Sequence, residues 1–196
     1  AQAFAANLGK HGLPYHLFAK PKPANKAWCT QQKPSVVLEA MDLYPTKTLV
    51  LMDVDCVVHG DIAPVTETSA DVGKIVIARN MRKGKRWRHW IAVESSSRVV
   101  VFKPTYGARE FVEAWKRQIE KRPDINHDEH SMVWAFLSCP ATKFSYIDQL
   151  YSGRNVGQIP GAVIEHDSAH DDARRAARGP LINMLRRFEA RWLRTG

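Results

Sequence analysis

Apolar positions change period several times along the chain, and each change predicts an element. Ala1-Gln-Ala-Phe4-Ala-Ala-Asn-Leu8 has helical spacing and reads as a helix already in progress, so an upstream segment is expected to have been removed. Leu13-Pro-Tyr-His-Leu-Phe18 is a short strand candidate, followed by a Lys- and Pro-rich loop through Asn25. Val37, Ala40, Met41 and Tyr44 recur at i, i+3, i+4 and i+7, the stripe of an amphipathic helix. Pro34 suits its first turn and Pro45 stops it. Strand-length apolar runs follow at 49–58, 74–78, 98–102, 144–147 and 162–165. Between them, Phe111, Trp115 and Ile119 predict a helix over 106–121. A second helix is predicted over 127–138, with Met132, Val133, Phe136 and Leu137 turned inward. Strands alternating with helices make the fold class α/β, a mixed sheet flanked by helices in one domain over residues 1–166. Residues 167–179 are polar enough to read as a linker. Residues 180–196 read as a basic amphipathic helix with Leu181, Leu185, Phe188 and Trp192 on one face.

The most informative run is Leu49-Val-Leu-Met-Asp53-Val-Asp55-Cys-Val-Val58. Successive side chains on a strand point to opposite faces, so Asp53 and Asp55 are expected to share a face while Val54 turns into the core. Two carboxylates delivered together can hold a hard divalent cation that in turn grips a phosphate.

Composition narrows the classes. An apolar fraction of 44% with 25% charged residues is that of an ordinary globular protein. No stretch has the length of a membrane-spanning helix, and no secretory signal pattern opens the chain. Three scattered cysteines (Cys29, Cys56, Cys139) fit neither a disulfide framework nor metal-ligand spacing, and the expectation is reduced thiols in a cytoplasmic protein. Lys and Arg number 29 against 20 Asp and Glu, a net charge of +9 that favours anionic partners. The excess gathers in Arg79–Trp90 and in the tail beyond Arg174. Trp87 and Trp90 in the first of these could grip a glycan or anion, and the tail helix could pack on the domain or make peripheral contact with an anionic membrane.

The segment Lys33–Ile62, with its Asp-x-Asp and the exit Val57-Val58-His59-Gly60-Asp61-Ile62, resembles the core of the GT-A nucleotide-diphospho-sugar transferases. The resemblance implies that Asp53 approaches the nucleotide ribose or the metal, that Asp55 is a direct ligand, and that Lys33 contacts sugar or phosphate. It implies Mn²⁺ or Mg²⁺ as cofactor, a UDP- or GDP-linked sugar as donor, and a glycan or other hydroxyl acceptor. Asn126-His127-Asp128-Glu129-His130-Ser131 is similar to the His-Asp-Glu-Ser element of the blood-group-type α-galactosyl and α-N-acetylgalactosaminyl transferases. That likeness implies Glu129 as nucleophile or base and Asp128 as a contact to a sugar hydroxyl. Helix-first-turn acids that merely suit the dipole are the alternative. Many GT-A enzymes return a late histidine to the metal, and His166 at the end of a strand is the candidate, with His170 second.

The chain departs from that pattern in two ways. By that likeness it is expected to start after the strand that contacts the nucleotide base, and it carries Ser95-Ser96-Ser97-Arg98 where many have a Gly entering the middle strand. Two other functions stay open. In a haloacid-dehalogenase-type phosphatase, Asp53 would be the nucleophile and Asp55 the acid/base, although the motif would lie unusually late in the chain. A nucleic-acid-binding module would use the basic segments and leave the acidic pair unexplained, so nucleic acid is the less favoured partner.

Overall fold

Val99, Val100, Val101 and Phe102 have no exposed surface, and the structure is assembled around them. The computed structural model describes residues 1–20, 30–74, 76–80, 91–122, 128–151, 154–155 and 159–166. In chain order the elements are α1 (Gln2–Lys10), α2 (Lys33–Leu43), β1 (Leu49–Met52), β2 (Cys56–Val58), α3 (Ala63–Thr66), β3 (Val72–Lys74) and β4 (Val76–Asn80). They continue as β5 (Ile91–Ser95), β6 (Val99–Phe102), α4 (Tyr106–Lys121), α5 (Asp128–Ser138), β7 (Phe144–Tyr146), β8 (Arg154–Asn155) and β9 (Ile164–His166), with a 3₁₀ turn at Gln149–Tyr151.

The main sheet has the order β1-β6-β3-β7, with β6 antiparallel to both neighbours and β3 parallel to β7. Side chains on β6 alternate between two cores. Val100 and Phe102 face α2, α4 and α5 through Val37, Met41, Phe111, Trp115 and Met132, whereas Val99 faces Phe4, Leu8, Cys56 and Ile164. A strand covered on both faces reads as a continuous apolar run, which is why its sequence shows no polar alternation. Beside this sheet lie a smaller one, β2-β9-β8, and the β4–β5 pair.

The helices follow local causes. Thr105 caps α4, its hydroxyl accepting from the Ala108 amide at 3.2 Å, and the four-residue spacing of Phe111, Trp115 and Ile119 buries one face. Pro34 opens α2, and the helix ends at Tyr44 before Pro45. Helices 106–121 and 127–138 thus appear nearly as the periodicity predicts, and the α/β class with helices flanking a mixed sheet is what forms.

Four local expectations are corrected. Leu13–Phe18 is not a strand: His16 stacks on Phe18 at 4.3 Å and shares a 2.8 Å hydrogen bond with the Tyr44 hydroxyl, while Tyr15 and Leu17 face solvent. Alternation there reflects a strap with aromatic contacts to α2 rather than a sheet face. The run 74–78 divides between β3 and β4, and the partner strand β5 was not foreseen, since the basic segment before it masks the hairpin pattern. Leu137 is 64% exposed because Ala135, not Leu137, takes the inward position beside Met132; Tyr44 is exposed too. Val54 also points outward, for a reason given below. The loop residues 81–90, the linker 167–179, the tail helix 180–196, His170 and Cys29 lie outside the described residues. Cys56 and Cys139 are free and buried, and among the described residues no helix is long and apolar enough to cross a membrane.

Gly107, in the first turn of α4, is packed against the carboxylate of Asp71. A Cβ at this position would lie 2.6 Å from Asp71 Oδ2, which already accepts from the Lys143 amide at 2.8 Å. Gly107→Ala must therefore displace Asp71 and weaken that bond. The expected cost is about 2 kcal/mol, as for overpacked cores, read as a lowered denaturation midpoint. A midpoint unchanged from the parent chain would show that Asp71 moves freely.

Candidate functional site

The two aspartates meet through a turn rather than along a strand. β1 ends at Met52, and the Cys56 amide donates to the Asp53 carbonyl at 2.9 Å, closing a four-residue turn before β2 begins. Val54 sits at its tip and is 59% exposed, so the core-facing role expected of it is lost. The turn still brings the carboxylates of Asp53 and Asp55 to one side. Antiparallel pairing of β1 with β6 places Arg98 opposite Asp53, whose amide donates to the Arg98 carbonyl at 3.1 Å.

His166 arrives from the other sheet. β9 pairs with β2 so that His166 lies opposite Cys56, one residue from Asp55. Its Nε2 is 2.9 Å from Asp55 Oδ1, and its buried Nδ1 has no hydrogen-bond partner among the described residues. Asp53, Asp55 and His166 each offer one ligand atom, and these atoms all lie within 4.8 Å of one another.

Lys33, at the start of α2, reaches the same place. Its ammonium is 2.7 Å from Asp53 Oδ1 and 3.3 Å from Asp128 Oδ2, and it donates to Ser97 Oγ at 2.9 Å. The Asp128 contact is charge attraction without hydrogen-bond alignment, because Oδ2 has no bond of proper geometry. Asp128 is buried in the first turn of α5, and its carbonyl accepts from Trp115 Nε1 at 3.1 Å, which ties α5 to α4. Glu129 follows, its Oε1 accepting a long bond from the Ser97 amide at 3.4 Å. Ser97 was singled out in the sequence only as a departure. The signal that could have found it is position: Ser97, one residue before Arg98 at the entrance of an all-apolar strand antiparallel to β1, must lie at the edge where Asp53 emerges.

The electrostatics are those of an acid-rich cluster. Burial disfavours the Lys33 ammonium, but the charges of Asp53 and Asp128 outweigh it and hold its pKa above the ordinary value. Asp53 is raised by burial, which Lys33 offsets in part while Asp128 and Asp55 add to it. Asp55 is also penalised by burial, yet its hydrogen bond and charge contact with His166 leave it lowered. Glu129 is raised by burial and by Asp128. Cys56, buried beside both aspartates, is pushed up to about 12.

All six residues singled out in the sequence, Lys33, Asp53, Asp55, Asp128, Glu129 and His166, therefore stand around one edge of the main sheet. No protein-family model and no curated protein sequence matches the chain. Among solved structures, the chain is similar to a glycosyltransferase involved in the glycosylation of the major capsid of PBCV-1, with a TM-score of 0.62 over 89% of this chain and 88% of that one, at 13% identity. The chain thus shares the fold of that glycosyltransferase.

Replacing Lys33 tests the cluster. Lys33→Met leaves Asp53 and Asp128 without their ammonium and should destabilise the fold by about 3 kcal/mol at neutral pH. The sign with pH follows from the shifts. The raised Lys33 contributes fully below the ordinary lysine pKa and is lost as pH rises through its folded value. Asp53, also raised, takes up its proton earlier than an ordinary carboxyl on acidification, and the attraction fades there. Urea unfolding from pH 4 to 9 should show the gap between variant and parent level from neutrality up to pH 9 and narrowing in acid. A gap independent of pH would mean that Lys33 acts by packing alone.

Proposed function

We propose that the chain is a metal-dependent glycosyltransferase that moves a sugar from a nucleoside-diphosphate donor, UDP- or GDP-linked, to a hydroxyl on a glycan or other acceptor. The observation that carries this reading is the convergence of Asp53, Asp55 and His166 on one point within a glycosyltransferase fold. The donor set fits Mn²⁺ or Mg²⁺: carboxylate oxygens suit hard divalent cations, and one imidazole is a ligand that Mn²⁺ accepts readily. Charge supports the fit as well. Asp53, Asp55, Asp128 and Glu129 outnumber the nearby cations Lys33 and Arg98, and burial holds Asp53 and Glu129 above their ordinary values, a strain that a dication would relieve. When bound, the cation would neutralise charge building on the departing diphosphate.

The remaining work falls to side chains. Asp55 and His166 would hold the cation, with Asp53 between it and the ammonium of Lys33. Lys33 fixes Asp53 and Asp128 relative to each other, so the cation site and the sugar site keep one geometry. Asp128 Oδ2, unaligned with its lysine, has capacity to accept a hydroxyl of the donor sugar. Glu129, its pKa raised by burial and by Asp128, is the candidate nucleophile or general base.

The test is calorimetry of UDP and GDP with and without Mn²⁺, on the chain and on Asp55→Ala. One nucleotide should bind only with metal, and Asp55→Ala should weaken it at least tenfold, which is about 1.4 kcal/mol. Metal-independent binding, or binding that Asp55→Ala leaves intact, would refute the assignment of the aspartates.

A further inference from the structure

We propose that Ser97 is a positioning residue for sugar transfer: its hydroxyl turns the Lys33 ammonium away from Asp128, which keeps the Asp128 carboxylate open to a hydroxyl of the donor sugar. This role rests on the glycosyltransferase reading and deepens it, because it gives a neutral residue control over the sugar half of the cluster. Ser97 is 3% exposed and directly precedes Arg98, whose carbonyl accepts from the Asp53 amide at 3.1 Å. Ser96 Oγ accepts from the Arg98 amide at 3.4 Å, a local bond of the kind serines make where a chain turns. The backbone at Ser97 is thereby held in place beside the acidic turn. Its polar groups all engage the cluster. The hydroxyl accepts from Lys33 Nζ at 2.9 Å, the carbonyl accepts from the same ammonium at 3.4 Å, and the amide donates to Glu129 Oε1 at 3.4 Å.

A lysine ammonium donates three N–H groups and accepts none. In Lys33 one meets Asp53 Oδ1 at 2.7 Å and another meets the Ser97 hydroxyl. Asp128 Oδ2 is buried and only 3.3 Å from the same nitrogen, yet it has no hydrogen-bond partner among the described residues. Bonds between charged groups are stronger than bonds to neutral ones, so a carboxylate oxygen this close would otherwise capture an N–H. The serine, fixed by its backbone, directs the ammonium elsewhere. Without the hydroxyl, the freed N–H has Asp128 Oδ2 within reach, and the bond it forms there competes with a sugar hydroxyl. The bonds of Ser97 run to Lys33 and Glu129, whereas Asp55 is held by His166 at 2.9 Å. Loss of the hydroxyl should therefore affect sugar recognition and spare the cation half.

Two measurements on the whole chain test this role. The first is side-chain carboxyl ¹³C NMR without ligand, in which Ser97→Ala should shift the Asp128 signal and leave that of Asp55 in place. The second is calorimetry with Mn²⁺ and UDP, GDP, UDP-glucose, UDP-galactose or GDP-mannose. Ser97→Ala should bind the free nucleotide within about twofold of the parent and weaken its sugar conjugate by about fivefold or more, as loss of a hydrogen bond to a charged group allows. In an Asp128→Asn background, where the competing charge is gone, Ser97→Ala should change sugar-nucleotide affinity by less than about twofold, the non-additivity of residues that act through one another. A parent chain that binds none of these nucleotides with Mn²⁺ would overturn the glycosyltransferase reading itself. A parent that binds them, while Ser97→Ala weakens free nucleotide and sugar nucleotide alike or neither, would overturn the role of Ser97 alone. An unmoved Asp128 carboxyl signal, or full additivity with Asp128→Asn, would do the same.

Discussion

One ammonium organises the candidate site. Lys33 reaches from the start of α2 to Asp53 behind β1, to Asp128 at the start of α5 and to Ser97 at the entrance of β6. Carboxylates buried at one edge of a sheet repel each other, and without a counter-charge they would either take up protons or push their elements apart. The lysine makes the positions of Asp53 and Asp128 mutually dependent. It leaves Asp55 to His166, so the cluster has two halves joined by the turn at residues 53–56: an ammonium with two acids, and an imidazole with one.

That arrangement depends in turn on β6. Being covered on both faces, it must lie inside the sheet, and its antiparallel pairing with β1 fixes which residues emerge beside Asp53. β3 is antiparallel to β6 and parallel to β7, so β1, β3 and β7 all run toward the edge that carries the site. Open α/β sheets offer ligands a crevice outside the carboxyl ends of such strands, and the cluster occupies that position.

Much of this was legible in the sequence, but unevenly. The helix over 106–121 could be read because the four-residue spacing of Phe111, Trp115 and Ile119 is the face that it buries. The acidic pair could be found by its apolar approach run, yet its local geometry was misread. A strand and a tight turn both bring residues i and i+2 to one side, and only the exposed Val54 tells them apart. Leu13–Phe18 alternates like a strand, but alternation cannot reveal whether a partner strand exists, and its aromatic contacts instead tie it to Tyr44. Long-range pairing was the least legible. Nothing in Ile164–His166 announces that it will lie against Cys56–Val58, although that pairing alone brings His166 to Asp55. The late histidine came to notice through family likeness, and geometry then gave it a neighbour.

The balance of charge says what kind of cluster this is. A structural ion pair needs one acid for each base, and apolar residues of similar volume often serve the fold as well or better. Here the four acids exceed the two nearby cations, Lys33 and Arg98, and burial leaves both Asp53 and Glu129 above their ordinary values, so the arrangement costs stability that a simple scaffold would not spend. Such an excess fits a place where a cation binds. The neighbouring thiol narrows the class of cation that such a group could hold. Cys56 sits beside both aspartates, and its burial together with their charge pushes it up to about 12, so it stays a neutral thiol at physiological pH. With no thiolate on offer from Cys56, the donors that converge are two carboxylates and one imidazole, a set suited to hard and borderline divalent ions rather than soft ones.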